Sequence, residues 1–139
     1  MDKKKDLADK LRSSGLRPTK QRLKICEVLF DTKKTFHFTI NDLVKIIREK
    51  LSQKISLATV YNTVHAFKKK GYLKEIIINS EKSYFDTNIH SHHHFYDSKN
   101  NELTDISIED VKLQNIPNPP KGKSIKDIDV IINVENDSQ

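Results

Sequence analysis

A dense group of histidines is the part of the sequence best suited to chemistry. Four of the six histidines fall within five consecutive positions, at His90, His92, His93 and His94. Asp86 precedes this histidine cluster and Asp105 follows it. Alternate residues of a β-strand share a face, so a strand here would direct His92 and His94 to one side and His93 to the other. Neutral imidazoles and carboxylates suit divalent first-row metal ions, and the pattern therefore predicts a metal site.

Charge is divided unevenly along the chain. Residues 1–86 carry a net charge of +10, and residues 87–139 carry −4. A basic part joined to an acidic part is typical of a protein whose basic part meets a polyanion such as nucleic acid. A solvated, lysine-rich surface would give the same charge, so charge alone leaves both interpretations open.

Cysteine content and hydropathy bear on the compartment. Cys26 is the single cysteine and lies in an apolar helical pattern, which predicts a core residue and excludes a Cys-x-x-Cys zinc site. The segment Met1–Lys5 is not followed by the apolar region of a signal peptide. No apolar run approaches the length that spans a bilayer. We expect a cytoplasmic protein with no membrane partner.

Helical patterns are predicted along the first half of the chain. A short polar helix covers residues 4–13, and Thr19 is the expected N-cap of a second helix. A third helix is predicted to open at His37-Phe38-Thr39 and to carry an apolar stripe that ends at Leu51. A fourth follows the N-cap Ser56.

The fourth helix, predicted from Leu57 to Lys70, has the pattern of a DNA recognition helix. Apolar residues are spaced for one buried face, namely Leu57, Val60, Val64 and Phe67. Hydrogen-bonding groups occupy the other side: Thr59, Tyr61, Asn62, Thr63 and His65. Asparagine can pair with adenine, and tyrosine or threonine can touch a thymine methyl group. This indicates a helix-turn-helix, although an ordinary amphipathic helix would show the same polar face.

Strand patterns complete the predicted architecture. Residues 72–78 and 82–86 flank a turn and predict a β-hairpin, which after a helix-turn-helix makes a winged helix. Further strands are expected at 92–96, 102–106 and 125–134. So small a C-terminal sheet buries little apolar surface alone, so we expect its edge to pair with a second copy in a homodimer.

The predicted fold class is therefore α+β. It consists of an N-terminal winged helix at residues 1–86, a hinge at 87–91, and a small C-terminal α/β domain for dimerisation and metal sensing at 92–139.

Essentially the whole chain resembles the ferric uptake regulator (Fur) superfamily. The motifs that carry the resemblance are the histidine cluster with its carboxylates, Leu16-Arg17-Pro18-Thr19-Lys20-Gln21-Arg22, and Leu57-Ala58-Thr59-Val60-Tyr61-Asn62-Thr63. The chain is most similar to the iron response regulator (Irr) branch. It shares with that branch Tyr84-Phe85-Asp86-Thr87-Asn88, His92-His93-His94-Phe95-Tyr96, and tail segments at 115–117 and 127–130.

The resemblance implies a regulatory metal ion that bridges the two domains. The matching ligands are His37, Asp86, His92, His94 and Asp105. Fe²⁺ or Mn²⁺ is the implied ion, with Zn²⁺ able to bind in vitro. Metal occupancy would bias the interdomain angle, and with it the spacing of the two recognition helices in the dimer. Haem stays open as a ligand of His92, His93 and His94, and so does a haem-delivering partner.

Contacts with double-stranded DNA, at an A·T-rich operator, are also implied. Tyr61 matches a tyrosine that contacts thymine, and Arg17 matches a basic residue that reaches the minor groove. The full predicted set is Arg17, Thr59, Tyr61, Asn62, Thr63 and Lys68.

The implied function is a repressor-type transcriptional regulator of iron homeostasis genes that responds to iron or haem status. The alternative is a peroxide- or manganese-sensing repressor of the same superfamily. An enzyme with a His-His-carboxylate iron site is not expected, because the chain has too few strands to build the barrel in which such sites normally lie.

Overall fold

The computed structural model describes residues 3–50 and 54–138. Contacts within the chain divide it into two compact units, an N-terminal unit of residues 1–89 and a C-terminal unit of residues 90–139. The boundary falls inside the segment 87–91 that the sequence indicated as a hinge. In the described part of the chain, no helix is long and apolar enough to cross a membrane.

Capping residues mark several of the helix ends in the N-terminal unit. The described residues form α1 (Lys3–Ser13), α2 (Lys20–Phe30), α3 (Ile40–Lys50) and α4 (Leu57–Lys70). The hydroxyls of Thr19 and Ser56 accept hydrogen bonds from the backbone N–H groups of Arg22 and Thr59. Gly71 ends α4 in the left-handed conformation, with φ of 93°. The bounds of α1, α2 and α4 therefore agree with the capping and periodicity of the sequence.

The segment before α3 differs from the prediction that the third helix opens at His37-Phe38-Thr39. His37 and Phe38 form a short strand, β1, instead of the first turn of a helix. The hydroxyl of Thr39 accepts from the Asp42 N–H, and the Asp42 carboxylate accepts from the Thr39 N–H, both at 3.1 Å. This capping box starts the helix after Thr39, so the two preceding residues stay extended. Leu51, predicted to end the apolar stripe, lies outside the described residues.

A small antiparallel sheet forms the wing of the N-terminal unit. Its described strands are β1 (His37–Phe38), β2 (Lys74–Asn79) and β3 (Lys82–Asp86), in the order β1-β3-β2. His37 lies opposite Asp86, and Phe38 lies opposite Phe85. The side-chain oxygen of Asn79 accepts the N–H of Glu81 at 2.8 Å and so stabilises the hairpin turn. The winged-helix prediction is confirmed.

The core of the N-terminal unit lies between the helices and this sheet. Val60, Val64 and Phe67 of α4 are fully buried, as their spacing predicted. Leu57 is 52% exposed, so its predicted place on the buried face is wrong. It is the first residue of α4 and lines an open groove instead of the core.

The C-terminal unit is a small mixed sheet. Its described strands are β4 (His93–Asp97), β5 (Glu102–Ile106) and β6 (Ile131–Val134), with a 3₁₀ turn at Ile108–Asp110. The order is β5-β4-β6; β5 pairs with β4 antiparallel and β6 pairs with β4 parallel. The strand predicted at 125–134 begins only at Ile131, because β4 is short and offers β6 four pairing positions, from His94 to Asp97.

Cys26 provides a test of the N-terminal core. Its side chain is fully buried, and burial raises the pKa of its thiol to about 12. Because the thiolate is the reactive form, we expect no reaction with a chromogenic disulfide reagent in native buffer, and one equivalent in guanidinium chloride. Rapid stoichiometric reaction of the native protein would contradict the packing of α2 described here.

Candidate metal centre and nucleic-acid interface

The start of β4 places two histidines side by side. The rings of His92 and His94 have centroids 4.5 Å apart. Both side chains are buried, with exposed fractions of 7% and 1%. The alternation predicted from the sequence is therefore present, because residues two apart along this segment share a face.

Asp105 of β5 completes a three-residue cluster in the C-terminal unit. It lies opposite His94 in the strand register. Its Oδ1 is 3.2 Å from Nε2 of His94 and 3.5 Å from Nε2 of His92. An ion bound at about 2.0–2.2 Å from nitrogen and oxygen holds neighbouring ligand atoms about 3–3.5 Å apart. Two imidazoles and a carboxylate at this spacing fit a divalent first-row ion.

The backbone of His90 fixes the orientation of His92. The carbonyl oxygen of His90 lies 2.7 Å from Nδ1 of His92. A carbonyl only accepts hydrogen bonds, so Nδ1 is the donor in this contact, and the neutral ring then has its lone pair on Nε2, the atom nearest Asp105. The His90 side chain itself is exposed. Sequence reasoning gave His90 no role, and no residue-type signal could have revealed one that depends on a backbone atom.

The N-terminal unit brings its own two predicted ligands together. His37 on β1 and Asp86 on β3 are direct partners in the antiparallel register. Asp86 is 1% exposed and accepts a hydrogen bond from the Asn88 N–H at 2.8 Å. The His37 ring packs edge-on against Tyr84, with centroids 5.9 Å apart. This pairing depends on the strand conformation of His37, which the sequence did not predict.

His93 has a different place from its neighbours. It is 3% exposed, and its Nδ1 accepts a hydrogen bond from the Val130 N–H at 3.1 Å. The backbone N–H of His94 donates to the Val130 carbonyl, also at 3.1 Å. His93 therefore holds the chain entering β6 against β4. These contacts give no support to His93 as a haem ligand, and haem at His92, His93 and His94 stays a prediction from resemblance.

The exposed side of α4 agrees with only part of the predicted DNA contact set. Tyr61 is 51% exposed, and Asn62 is exposed beside it. Thr59 is half-buried, with its hydroxyl 2.8 Å from that of Ser56. Thr63 corrects the prediction, because it is fully buried and donates to the Thr59 carbonyl at 2.7 Å.

The burial of Thr63 has a simple geometric cause. Thr63 lies three residues after Val60 and four before Phe67, so it falls on the buried stripe of the helix. It cannot contact a ligand outside the fold.

The two predicted basic contacts are both at the surface. Arg17 is exposed in the connection between α1 and α2. Lys68, at the end of α4, forms an ion pair with Glu75 of β2. Burial alone would raise the pKa of Glu75, but hydrogen bonds from Lys68 and Ser83 outweigh it, and the pKa is lowered. Lys68 is therefore held against the wing by a carboxylate that stays charged.

An open groove of about 750 Å³ runs between the start of α3, the exposed face of α4 and the hairpin. Leu57, Tyr61 and His65 form its α4 side. A winged helix whose recognition helix faces such a groove, followed by a sheet with a His-His-Asp cluster, defines a winged-helix protein with a candidate metal centre. Residues 13–133 match the model of the Ferric uptake regulator family, and the chain belongs to this family. The superfamily prediction is confirmed.

Similarity to individual proteins is more distant. The chain is 34% identical, over 96 residues, to the peroxide-responsive repressor PerR of Staphylococcus epidermidis. The matched region covers 69% of this chain and 62% of that repressor. The chain thus spans less than two thirds of the length of the curated relatives it matches. The Irr branch stays a prediction.

Solved structures share the fold. The ferric uptake regulator of Pseudomonas aeruginosa with manganese has a TM-score of 0.64 and 21% identity, with 94% of this chain and 97% of that chain covered. The regulator of Vibrio cholerae has a TM-score of 0.67 and 22% identity, with 92% and 98% covered.

The role of His93 can be separated from metal binding. We expect His93→Leu to destabilise the protein by about 1–3 kcal/mol, because the Val130 N–H loses its acceptor inside the fold. His93→Asn is the matched control, since its side-chain oxygen can accept the same hydrogen bond. Urea unfolding followed by circular dichroism measures both variants. Equal stability of His93→Leu and the native protein would contradict this assignment.

Proposed function

We propose that this chain is a metal-responsive transcriptional regulator that binds double-stranded DNA as a homodimer. The observation that carries the proposal is the arrangement of ligand-type side chains within each unit. His92, His94 and Asp105 cluster in the C-terminal unit, with the carboxylate 3.2 and 3.5 Å from the two imidazoles. His37 lies opposite Asp86 in the N-terminal unit.

The proposed ligand set joins these two groups: His37, Asp86, His92, His94 and Asp105. Five residues separate Asp86 from His92, so the connecting chain keeps them within about 20 Å even when extended. Three imidazoles and two carboxylates favour Fe²⁺ or Mn²⁺ over a closed tetrahedral zinc site, although Zn²⁺ would compete in vitro. The related Pseudomonas aeruginosa regulator was solved with manganese, which supports this choice.

The proposed mechanism is a hinge set by metal ligation. A bound ion would supply a link between ligands of the two units and favour one arrangement of them. His92 is oriented for this by the His90 carbonyl. In a dimer, the arrangement sets the spacing of the two recognition helices, which must match the half-sites of the operator. The crystal structure of the Vibrio cholerae regulator reveals a structural rearrangement of its DNA-binding domains, which supports this proposal.

DNA recognition is assigned to the N-terminal unit. Residues 1–86 carry the net charge of +10 that attracts the phosphate backbone. Tyr61 and Asn62 are the exposed candidates for base contacts in an A·T-rich operator, while Thr59, Arg17 and Lys68 are candidates for positioning contacts. Thr63 is removed from the set because it is buried.

The homodimer is assigned to the C-terminal unit. Phe95, Ile132 and Val134 leave 38–40% of their surface exposed on β4 and β6. β6 is an edge strand of the described sheet and β4 is its central strand, so a second copy that paired with β6 and covered these side chains would bury them.

Two versions of the signal are proposed. Iron or haem status and control of iron homeostasis genes follow the Irr resemblance. Peroxide sensing is the second candidate, favoured by the 34% identity to a peroxide-responsive repressor. The same five ligand types serve either signal, so the site does not choose between them.

The metal assignment predicts a specific loss. His94→Ala should weaken Mn²⁺ binding at least about tenfold, because it removes a ligand from the centre of the cluster. His90→Ala is the matched control, since its exposed imidazole is lost while its carbonyl remains. Isothermal titration of both variants into Mn²⁺ measures the difference. Equal affinities in the two variants would refute the site.

The DNA assignment predicts an effect on specific binding. Tyr61→Ala should weaken binding to an A·T-rich palindrome about 5- to 150-fold in the presence of Mn²⁺, by losing a base contact. Lys69→Ala is the contrast, because an exposed lysine that meets only phosphate should weaken specific and random duplexes alike. Fluorescence anisotropy at fixed salt measures both.

The fluorescence anisotropy measurement also separates the two proposed signals. Binding that needs Mn²⁺ and is reversed by haem supports the iron and haem version, and reversal by peroxide supports the alternative. Absence of specific binding in every state would overturn the regulator proposal.

A further inference from the structure

His65 packs against the tyrosine proposed to contact DNA. It follows Tyr61 by four residues, so both side chains lie on one side of α4. Their ring centroids are 4.1 Å apart, with an angle of 40° between the ring planes. A half-exposed tyrosine on a helix surface would otherwise sample several rotamers. The His65 ring covers one face of Tyr61 and restricts that freedom.

The other side of His65 rests on the core. Its ring makes an edge contact with Phe85 of β3, with centroids 5.4 Å apart and an angle of 81°. Phe85 is 2% exposed and stacks on Phe38 of β1, with centroids 6.1 Å apart. His65 thus lies between a buried pair of core phenylalanines and an exposed tyrosine. Contact with the sheet, through His65, therefore helps to set the orientation of the Tyr61 ring, in addition to its own helix.

The charges around His65 argue against a simple phosphate contact. Glu75 lies opposite Phe85 in the β2–β3 register, close enough for electrostatic interaction with His65. The same carboxylate pairs with Lys68. Glu75 therefore offers His65 a partner within the unit, with which a phosphate would have to compete.

We propose that His65 is a positioning residue for base recognition. It holds the Tyr61 ring, through this tilted ring contact, in the orientation in which that ring enters the major groove. Fixing the ring before binding reduces the entropy lost on binding, which favours the specific complex over the non-specific one. The proposal rests on the proposed function, since it requires that Tyr61 contact DNA.

The test is a double-mutant cycle in the full chain with Mn²⁺ present. His65→Ala should weaken binding to the A·T-rich palindrome about 3- to 10-fold, and leave random duplex and the salt dependence unchanged. His65→Phe should restore native affinity to within about twofold, because it keeps the ring without a charge. In the Tyr61→Ala background, His65→Ala should cause no further loss.

Two results would overturn the proposal. One is an equal loss from His65→Ala with and without Tyr61, which would show that the residues act independently. The other is rescue by His65→Lys instead of His65→Phe, with a changed salt slope, which would assign His65 to a phosphate.

A measurement without DNA separates this proposal from the proposed function. In NMR spectra of protein with isotope-labelled tyrosine, the ring resonances of Tyr61 should lie away from the position of a mobile tyrosine in the native chain and in His65→Phe. In His65→Ala they should move toward the position of a mobile tyrosine. Unchanged resonances in His65→Ala would overturn the positioning role. If the resonances change as expected in His65→Ala but the native chain shows no specific DNA binding, the contact between His65 and Tyr61 is supported and the proposed function is overturned.

Discussion

The pairing of two residues of β1 with the end of β3 is the constraint on which the N-terminal unit depends. Because adjacent strand residues point to opposite faces, this pairing sends Phe38 and Phe85 into the core while His37 and Asp86 share the other face. A shift of one residue would exchange these roles and direct the two predicted ligands into the apolar core. The capping box at Thr39 prevents that shift, since it fixes where α3 begins. Core packing and the pairing of His37 with Asp86 are therefore both set by one short strand.

Strand alternation divides the histidine cluster in the same way. His92 and His94 reach Asp105 on one side of the chain, while His93 between them accepts the Val130 N–H that ties in β6. A neutral Nδ1 acceptor at His93 and an Nδ1 donor at His92 require different tautomers of adjacent histidines. Three identical residue types thus have three environments, and a mutation of the run as a block would mix a structural loss with a ligand loss.

Local patterns in the sequence predicted local structure, such as where helices begin and end, but not contacts between residues distant in the sequence. N-caps and periodicity gave the bounds of α2 and α4, because capping and amphipathicity act over one or two turns. His37 was expected in a helix, since its strand partner is 49 residues away and leaves no local trace. Thr63 was misplaced because a small polar residue can occupy a buried stripe when its hydroxyl finds a backbone carbonyl. Asp105 was a candidate ligand from its place after the histidine cluster and from family resemblance, whereas its contact with the histidines depends on the β4–β5 register.

Preorganisation within each unit bears on how a metal signal would act. The β1–β3 register orders two ligand-type side chains, and β4 with β5 and the His90 carbonyl orders three more. Little side-chain entropy then has to be lost inside either unit when the proposed ion binds. The freedom that ligation would remove is mainly that of the proposed hinge. Neither ordered set alone supplies the five ligands proposed. The free energy of completing the coordination would therefore favour one arrangement of the units. In a dimer, that arrangement determines whether the two recognition helices match the spacing of the operator half-sites.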